Sequence, residues 1–114
     1  MDTEFFVSKA HSYSQARRFS RLPTDFVVHV RSDELRINDR ANDISEAGIG
    51  VITPRPLPPM SLVSMRLELP HGEEVEMLGR VMWASQHMMG IRFEQTDPRV
   101  SDVVNRIRQG FERI

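Results

Sequence analysis

A period of two in the apolar residues is the feature that most constrains the fold of this chain. Every second residue from Val63 to Leu69 is apolar, and a second run with the same period occupies residues 75–83. A Pro-His-Gly turn separates the two runs. Alternation of this kind places apolar side chains on one face of a strand. The two runs therefore predict neighbouring antiparallel strands, with Trp83 in phase with the core positions of the second.

Shorter segments predict the remaining strands. They are residues 24–31, residues 34–38, residues 49–53 and a last strand around Ile91 and Phe93. Residues 39–48 are polar and are predicted to be a turn, and four prolines between residues 54 and 59 predict an extended connection.

The C-terminal region has a different period. Asp97 and Pro98 are suited to start a helix, and apolar residues follow at helical spacing at positions 100, 103, 104, 107 and 111. About six short antiparallel strands with helical cover predict a small β-barrel, because closure removes exposed sheet edges. We expect residues 1–16 to be a flexible N-terminal segment and residues 17–114 to form the barrel with its C-terminal helix.

Composition limits the classes of protein that fit. The 114 residues suit one domain, with 39% hydrophobic and 27% charged residues. The absence of cysteine excludes disulfides, thiolate zinc sites and cysteine nucleophiles. A net charge of −1 argues against a general nucleic-acid binder. We see neither an apolar run long enough for a membrane span nor a secretory signal, so a cytoplasmic protein is predicted.

The first motif that suggests chemistry is a cluster of Arg17, Arg18 and Arg21, which forms an RxxxR pattern before the first predicted strand. Clustered guanidinium groups repel one another unless an anion compensates. The planar arginine fork binds phosphate, and it also binds the O6 and N7 edge of guanine in a bidentate manner. By itself such a cluster is more commonly a solvated basic turn.

The second motif is DISEAG at residues 43–48, a DxSxxG pattern between two predicted strands. The ionised carboxylate of Asp43 only accepts hydrogen bonds, which suits the N1–H and N2–H donors of guanine. Ser45 adds a small donor and acceptor, and Gly48 permits a positive φ or the close approach of a ligand. An Asx or Ser turn that closes a strand connection is the alternative.

Taken together and in this order, the two motifs resemble the PilZ domain family. The resemblance extends to residues 78–83 (LGRVMW) and residues 90–93 (GIRF), and covers roughly residues 16–108. It implies a six-stranded antiparallel barrel with a C-terminal helix, and a single-domain bacterial receptor for the second messenger cyclic di-GMP.

The resemblance also implies a set of ligand-binding residues. Arg17 and Arg21 would bind guanine edges and phosphates, and Arg18 would support them. Asp43 and Ser45 would bind a guanine edge, with Gly48 leaving room, while Gly79 and Trp83 match the strand that lines the site. Position 16 is Ala, where the family often has Arg in members that take an intercalated ligand pair, so one ligand or a pair remain alternatives.

Other function classes are less well supported. No GxSxG elbow surrounds Ser45, and the four histidines show no metal-binding spacing, so neither an enzyme nor a metal cofactor is predicted. A nucleic-acid-binding barrel needs exposed aromatic residues on a basic face, and aromatic residues are 7% of the chain. We expect a cyclic di-GMP receptor whose N-terminal RxxxR loop changes on binding and signals to a protein partner. A PilZ-like adaptor that binds protein without nucleotide is the alternative.

Overall fold

The structure, a computed structural model, describes residues 21–33 and 35–110. Within these residues the chain forms seven strands, a 3-10 turn at Pro70–Gly72 and one α-helix. The strands are β1 (Leu22–Pro23), β2 (Val27–Arg31), β3 (Arg36–Ile44), β4 (Gly48–Ile52), β5 (Leu62–Glu68), β6 (Glu74–Ala84) and β7 (Met88–Phe93), and the helix is α1 (Pro98–Arg108).

Six of the strands close into an antiparallel barrel. Around the barrel the order is β2, β3, β4, β7, β6 and β5, and β5 pairs back with β2. The two-residue β1 is an additional strand that pairs with the end of β3, with Leu22 opposite Ile44. The predicted six-stranded barrel and C-terminal helix are confirmed. The short β1 was not predicted.

The core fills the barrel with aliphatic and methionine side chains. Its largest fully buried members are Ile44, Ile49, Met65, Leu67, Met89, Ile91 and six valines, Val28, Val30, Val51, Val63, Val75 and Val81. The predicted alternation in β5 is confirmed, since Val63, Met65 and Leu67 are buried. These side chains leave water on folding and supply the main stabilising contribution.

Helix α1 packs its apolar face on the barrel. Asp97 caps the helix by accepting a 2.8 Å hydrogen bond from the Arg99 backbone N–H. Val100, Val103 and Val104 are buried at the predicted helical spacing. Gly110, with φ of 83°, follows the last turn, as is common after helix ends. None of the helical segments in residues 21–33 and 35–110 has the length and apolarity of a membrane span.

The prediction of a turn over residues 39–48 is wrong for its first six residues and for Gly48, which begins β4. β3 continues to Ile44, and the turn is confined to residues 45–47. The polar residues suggested a turn, but they belong to a strand whose outer face is exposed to solvent. Arg40 and Asn42 are exposed there, whereas Ala41 and Ile44 are buried.

Two β-bulges interrupt the barrel and re-aim side chains. In β3, Ala41 lies opposite Val51 but Asp43 lies opposite Gly50, so that Asn42 is an extra residue. The second bulge has the same form, with Met82 as the extra residue of β6. The prediction that Trp83 shares a face with Val75, Met77 and Val81 is therefore wrong. The bulge shifts the phase of β6 by one residue and turns Trp83 to the outer face.

Candidate functional site

Four residues lie side by side across four strands on the outer face of the barrel. Asp43 of β3 is opposite Gly50 of β4, Gly50 is opposite Gly90 of β7, and Gly90 is opposite Trp83 of β6. We call these four residues the outer row. Strands lie about 4.8 Å apart, so the two ends of the row are separated by about 14 Å along the sheet. Two glycines form its middle, between a carboxylate and an indole.

The Asp43 end of the row carries an ion pair that joins the two sequence motifs. The Nη1 atom of Arg21 donates to Asp43 Oδ1 at 2.8 Å, and the Asn42 amide donates to Oδ2 at 3.2 Å. Strand β1 brings Arg21 there, because Pro23 pairs with Asp43. The Arg21 side chain remains 45% exposed, and most of its five N–H donors are not used by this contact. The structure thus places one residue of each motif in direct contact.

The absence of a side chain at Gly50 leaves space for the Asp43 carboxylate. A Cβ atom added at Gly50 would lie 2.8 Å from Asp43 Oδ1, a distance at which the carboxylate has to move. Gly50 was not among the predicted site residues. Its signal in the sequence is the unusual pair of glycines at the start of a strand, since glycine inside a strand often marks close approach of another group.

The Trp83 end of the row is apolar. The indole lies across the Gly90 backbone, where an added Cβ would come within 2.1 Å of its Nε1 atom. Trp83 is 37% exposed, which is high for a tryptophan in a strand. The arrangement presents part of an aromatic ring beside a floor without side chains, a surface on which a planar ring can stack. Gly90 was likewise not predicted as a site residue.

Ser45 and Gly48 shape the turn that follows Asp43. The Ser45 hydroxyl accepts a 3.1 Å hydrogen bond from the Ala47 N–H, and the Ser45 N–H donates to the Gly48 carbonyl at 2.9 Å. Gly48 does not adopt a positive φ. A Cβ added to it would lie 2.5 Å from the Ile91 carbonyl oxygen. The close approach that Gly48 permits in this structure is therefore that of the β7 backbone.

The structure does not bring every predicted site residue to the outer row. Gly79 faces the interior, where an added Cβ would lie 2.5 Å from Cγ2 of Ile91 and 2.6 Å from Cε of Met65. Arg17 and Arg18 lie outside the described residues, as does the predicted flexible segment 1–16.

A second charged contact reaches the motif turn from α1. Arg108 Nη1 lies 3.0 Å from Glu46 Oε2, and Nη2 lies 3.4 Å from Oε1. This hydrogen-bonded guanidinium lowers the pKa of the Glu46 carboxyl, and the carboxylate in turn raises the pKa of Arg108. Within residues 21–33 and 35–110, no group of three or more histidine and carboxylate side chains is placed to hold a metal ion.

The outer row combines three binding capacities. The Arg21 guanidinium can donate charged hydrogen bonds to phosphate or to a purine edge. The Asp43 carboxylate can accept from N–H groups, and the Trp83 indole can stack on a ring. These capacities suit a ligand that contains both phosphates and purines.

Sequence comparison with known protein families gives one match for this chain. The sequence matches the PilZ domain family over residues 15–109. A search of curated proteins gives no significant match.

Solved structures share the fold at low sequence identity. The PilZ domain of CeSA from a cellulose-synthesizing bacterium is 22% identical, with a TM-score of 0.62, over 82% of this chain and 99% of that one. The PilZ domain of Escherichia coli YcgR, solved with c-di-GMP, is 14% identical, with a TM-score of 0.67, over 83% and 93%. The inhibitor of motility MotI/DgrA from Bacillus subtilis is 18% identical, with a TM-score of 0.71, over 86% of this chain and 53% of that protein. At these identities the likeness shows the fold alone.

Proposed function

The chain belongs to the PilZ domain family, a family of c-di-GMP receptors, and from this premise we propose that it binds cyclic di-GMP along the outer row. The observation that carries the proposal is the ion pair between Arg21 and Asp43. It joins the RxxxR and DxSxxG motifs on one exposed surface, although 22 residues separate them in the chain. PilZ domains are generally ligand-binding domains without catalytic activity, and we propose the same for this one.

The charged end of the row fits the polar groups of the ligand. Cyclic di-GMP has two guanines and two phosphates. Arg21, together with Arg17 and Arg18 just before it in the sequence, would bind phosphates and the O6 and N7 edge of a guanine. Asp43 would accept hydrogen bonds from the N1–H and N2–H groups of that or the other guanine. Its own contact with Arg21 uses Oδ1 and leaves acceptor capacity on both oxygens.

The rest of the row fits the purine rings. Gly50 and Gly90 would let a ring approach the backbone, and Trp83 would stack on it or border it. We propose that Ser45 and Gly48 act by shaping the turn after Asp43, and that Gly79 lets Ile91 and Met65 pack beneath the row. One ligand and an intercalated pair remain alternatives, and the titration that measures affinity also gives the stoichiometry.

We further infer that ligand binding changes the conformation of residues 17–21 and that a protein partner reads this change. The ligand phosphates would neutralise the repulsion among the three arginines, so the free energy of this segment depends on occupancy. Hydrogen exchange with and without cyclic di-GMP tests it. New protection at residues 16–22 with little change in β5 is expected, and equal protection in both states would contradict it.

Calorimetric titration with cyclic di-GMP tests the proposed function. Binding of order micromolar or tighter is expected, which corresponds to about −8 kcal/mol or better. Linear GMP should bind far more weakly, because it lacks the second guanine and loses more conformational entropy when it binds. An absence of heat and of thermal stabilisation at ligand concentrations well above micromolar would refute the proposal.

A protein-binding adaptor without nucleotide is the second candidate, and one observation favours it. The outer face around β5 and β6 exposes apolar side chains at Met60, Leu62, Leu78 and Met82, which is typical of protein-binding surfaces. The adaptor predicts no heat with cyclic di-GMP, so the titration separates the two functions. The cytoplasmic location stays a prediction from the sequence.

A further inference from the structure

The contact between Glu46 and Arg108 connects the motif turn with the end of α1. Arg108 is the last residue of the helix and Glu46 lies in the middle of the DxSxxG motif, 62 residues earlier. The side chains are partly buried, with 39% of Arg108 and 28% of Glu46 exposed. Both terminal guanidinium nitrogens of Arg108, Nη1 and Nη2, take part. A bidentate pair restrains the orientation of its partners more than a single contact does.

The turn that contains Glu46 is held to the barrel by backbone hydrogen bonds on its other side. The Phe93 N–H of β7 donates to the Ala47 carbonyl at 2.8 Å. Glu46 therefore lies between a fixed strand and the helix, three residues after Asp43. Because Glu46 follows Asp43 by only three residues, a displacement of this turn would be expected to move the end of β3 and with it the Asp43 carboxylate.

Helix α1 also contacts the other half of the site. It packs against β1, and Leu22 of β1 lies against the core beside Arg21. The helix thus touches the strand that places Arg21 and, through Arg108, the turn that follows Asp43. These two contacts let one element set the relative position of the two charged partners.

We propose that Glu46 and Arg108 are positioning residues for the ligand site and that they couple its occupancy to the C-terminal end of α1. The proposal rests on the proposed function. Neither residue has to touch the ligand. By linkage, a contact that strengthens ligand binding by a given factor is itself strengthened by the ligand by the same factor. The end of α1 is then a second place, besides residues 17–21, where a partner can detect the bound state.

Charge reversal separates a positioning role from a general effect on stability. Glu46→Arg places like charges together and should weaken cyclic di-GMP binding by about fivefold or more. Adding Arg108→Glu restores an opposite-charge pair and should return the affinity to within about twofold of wild type. Glu46→Gln should weaken binding about threefold. Each dissociation constant is measured by calorimetry, and each melting temperature is measured without ligand.

Asp102→Asn is the matched control. It removes another ion pair of the same helix, between Asp102 Oδ2 and Arg106 Nε at 3.2 Å, without altering Glu46 or Arg108. This variant should bind cyclic di-GMP like wild type.

Hydrogen exchange gives a second measurement of the coupling. Cyclic di-GMP should slow exchange at residues 105–109 in wild type, and it should slow exchange there less in Glu46→Gln.

The outcomes distinguish this coupling from the function it rests on. If wild type fails to bind cyclic di-GMP, the proposed function and the coupling both fall. If wild type binds and Glu46→Arg binds equally well, only the coupling is overturned. A Glu46→Arg variant with a lowered melting temperature and an unchanged dissociation constant also overturns it, because that result assigns the ion pair to stability alone.

Discussion

The two ends of the outer row are built by the same device and differ in chemistry. At each end a β-bulge turns a side chain outward over a glycine of the neighbouring strand, Asp43 over Gly50 and Trp83 over Gly90. The Asp43 end is charged and is held by Arg21, whereas the Trp83 end is apolar. Charged hydrogen bonds are directional and stacking is tolerant of ring identity. We therefore expect the Asp43 end to determine guanine selectivity and the Trp83 end to contribute affinity.

Removal of Arg21 should have the largest effect. Arg21→Ala deletes charged hydrogen bonds worth about 1.5–3 kcal/mol, which weakens cyclic di-GMP binding roughly 10- to 150-fold. The melting temperature should change little, because exposed ion pairs contribute little to stability. Calorimetry and thermal unfolding measure the two quantities. Arg66→Ala, which removes an exposed ion pair with Glu74 outside the row, is the control and should bind normally. A large loss of stability in Arg21→Ala would make the motif structural.

The two glycines allow each end to be disturbed separately. Gly50→Ala should displace the Asp43 carboxylate and weaken binding by about 5- to 30-fold, the equivalent of one weakened charged hydrogen bond. The preference for cyclic di-GMP over cyclic di-AMP should fall with it. The fold should be retained, because the displaced atom is the end of a side chain.

Gly90→Ala is the matched control for this experiment. It should move the Trp83 indole, change the tryptophan emission of the free protein, and leave the guanine preference near that of wild type. If both variants lose the guanine preference equally, the division of roles between the two ends is wrong.

Trp83 tests the apolar end directly. Trp83→Leu keeps an apolar side chain but removes the aromatic contribution of about 0.5–1.5 kcal/mol, so binding should weaken about fivefold at unchanged guanine preference. Since Trp83 is the only tryptophan, saturating ligand should also change the fluorescence of the wild-type protein. An unchanged spectrum at proven saturation would remove Trp83 from the site.

Asp43→Ala provides the contrast at the charged end of the row. This variant should lower both the affinity for cyclic di-GMP and the preference for guanine.

The smallest effect concerns pH and belongs to the Asp43 end. Arg108 lowers the pKa of Glu46 below its usual value of 4.5, so this pair stabilises the fold above that pH and the contribution is lost as the pH falls through the lowered pKa. Wild type should melt slightly higher than Glu46→Gln at pH 6, and the difference should shrink as the pH falls below 4.5 and Glu46 becomes protonated. Asp97, whose pKa is lowered by Arg99, titrates in both proteins and cancels in the comparison. A difference that stays constant as the pH is lowered from 6 until the proteins unfold would show that the pair contributes no stability through charge.

Much of the architecture followed from local patterns in the sequence. β5 and most of β6 were predicted because every second residue in them is apolar, and these residues are buried in the structure. α1 was predicted because a capping residue precedes apolar residues at helical spacing. β3 was predicted only in part. Its second half has polar residues on the outer face and a bulge at Asn42, and both features break the period of two.

The sequence predicted which residues belong to the site but not how they are arranged on the surface of the barrel. The contact between Arg21 and Asp43 joins residues of the two predicted motifs. It forms because β1 pairs with the end of β3, and a strand of two residues leaves no periodic signal. Gly50 and Gly90 escaped prediction because the role of each depends on a side chain that lies on a neighbouring strand.

The sequence by itself determined the barrel, its C-terminal helix and the two motifs, because alternation, helix caps and charge clusters are local properties of the chain. Tertiary structure decided which faces meet. The register between distant strands sets the two bulges, and each bulge reverses the side-chain phase of the residues that follow it. This reversal carries Trp83 out of the core and Asp43 to the outer face. No period within a single strand encodes it, because a bulge is defined only relative to the partner strand.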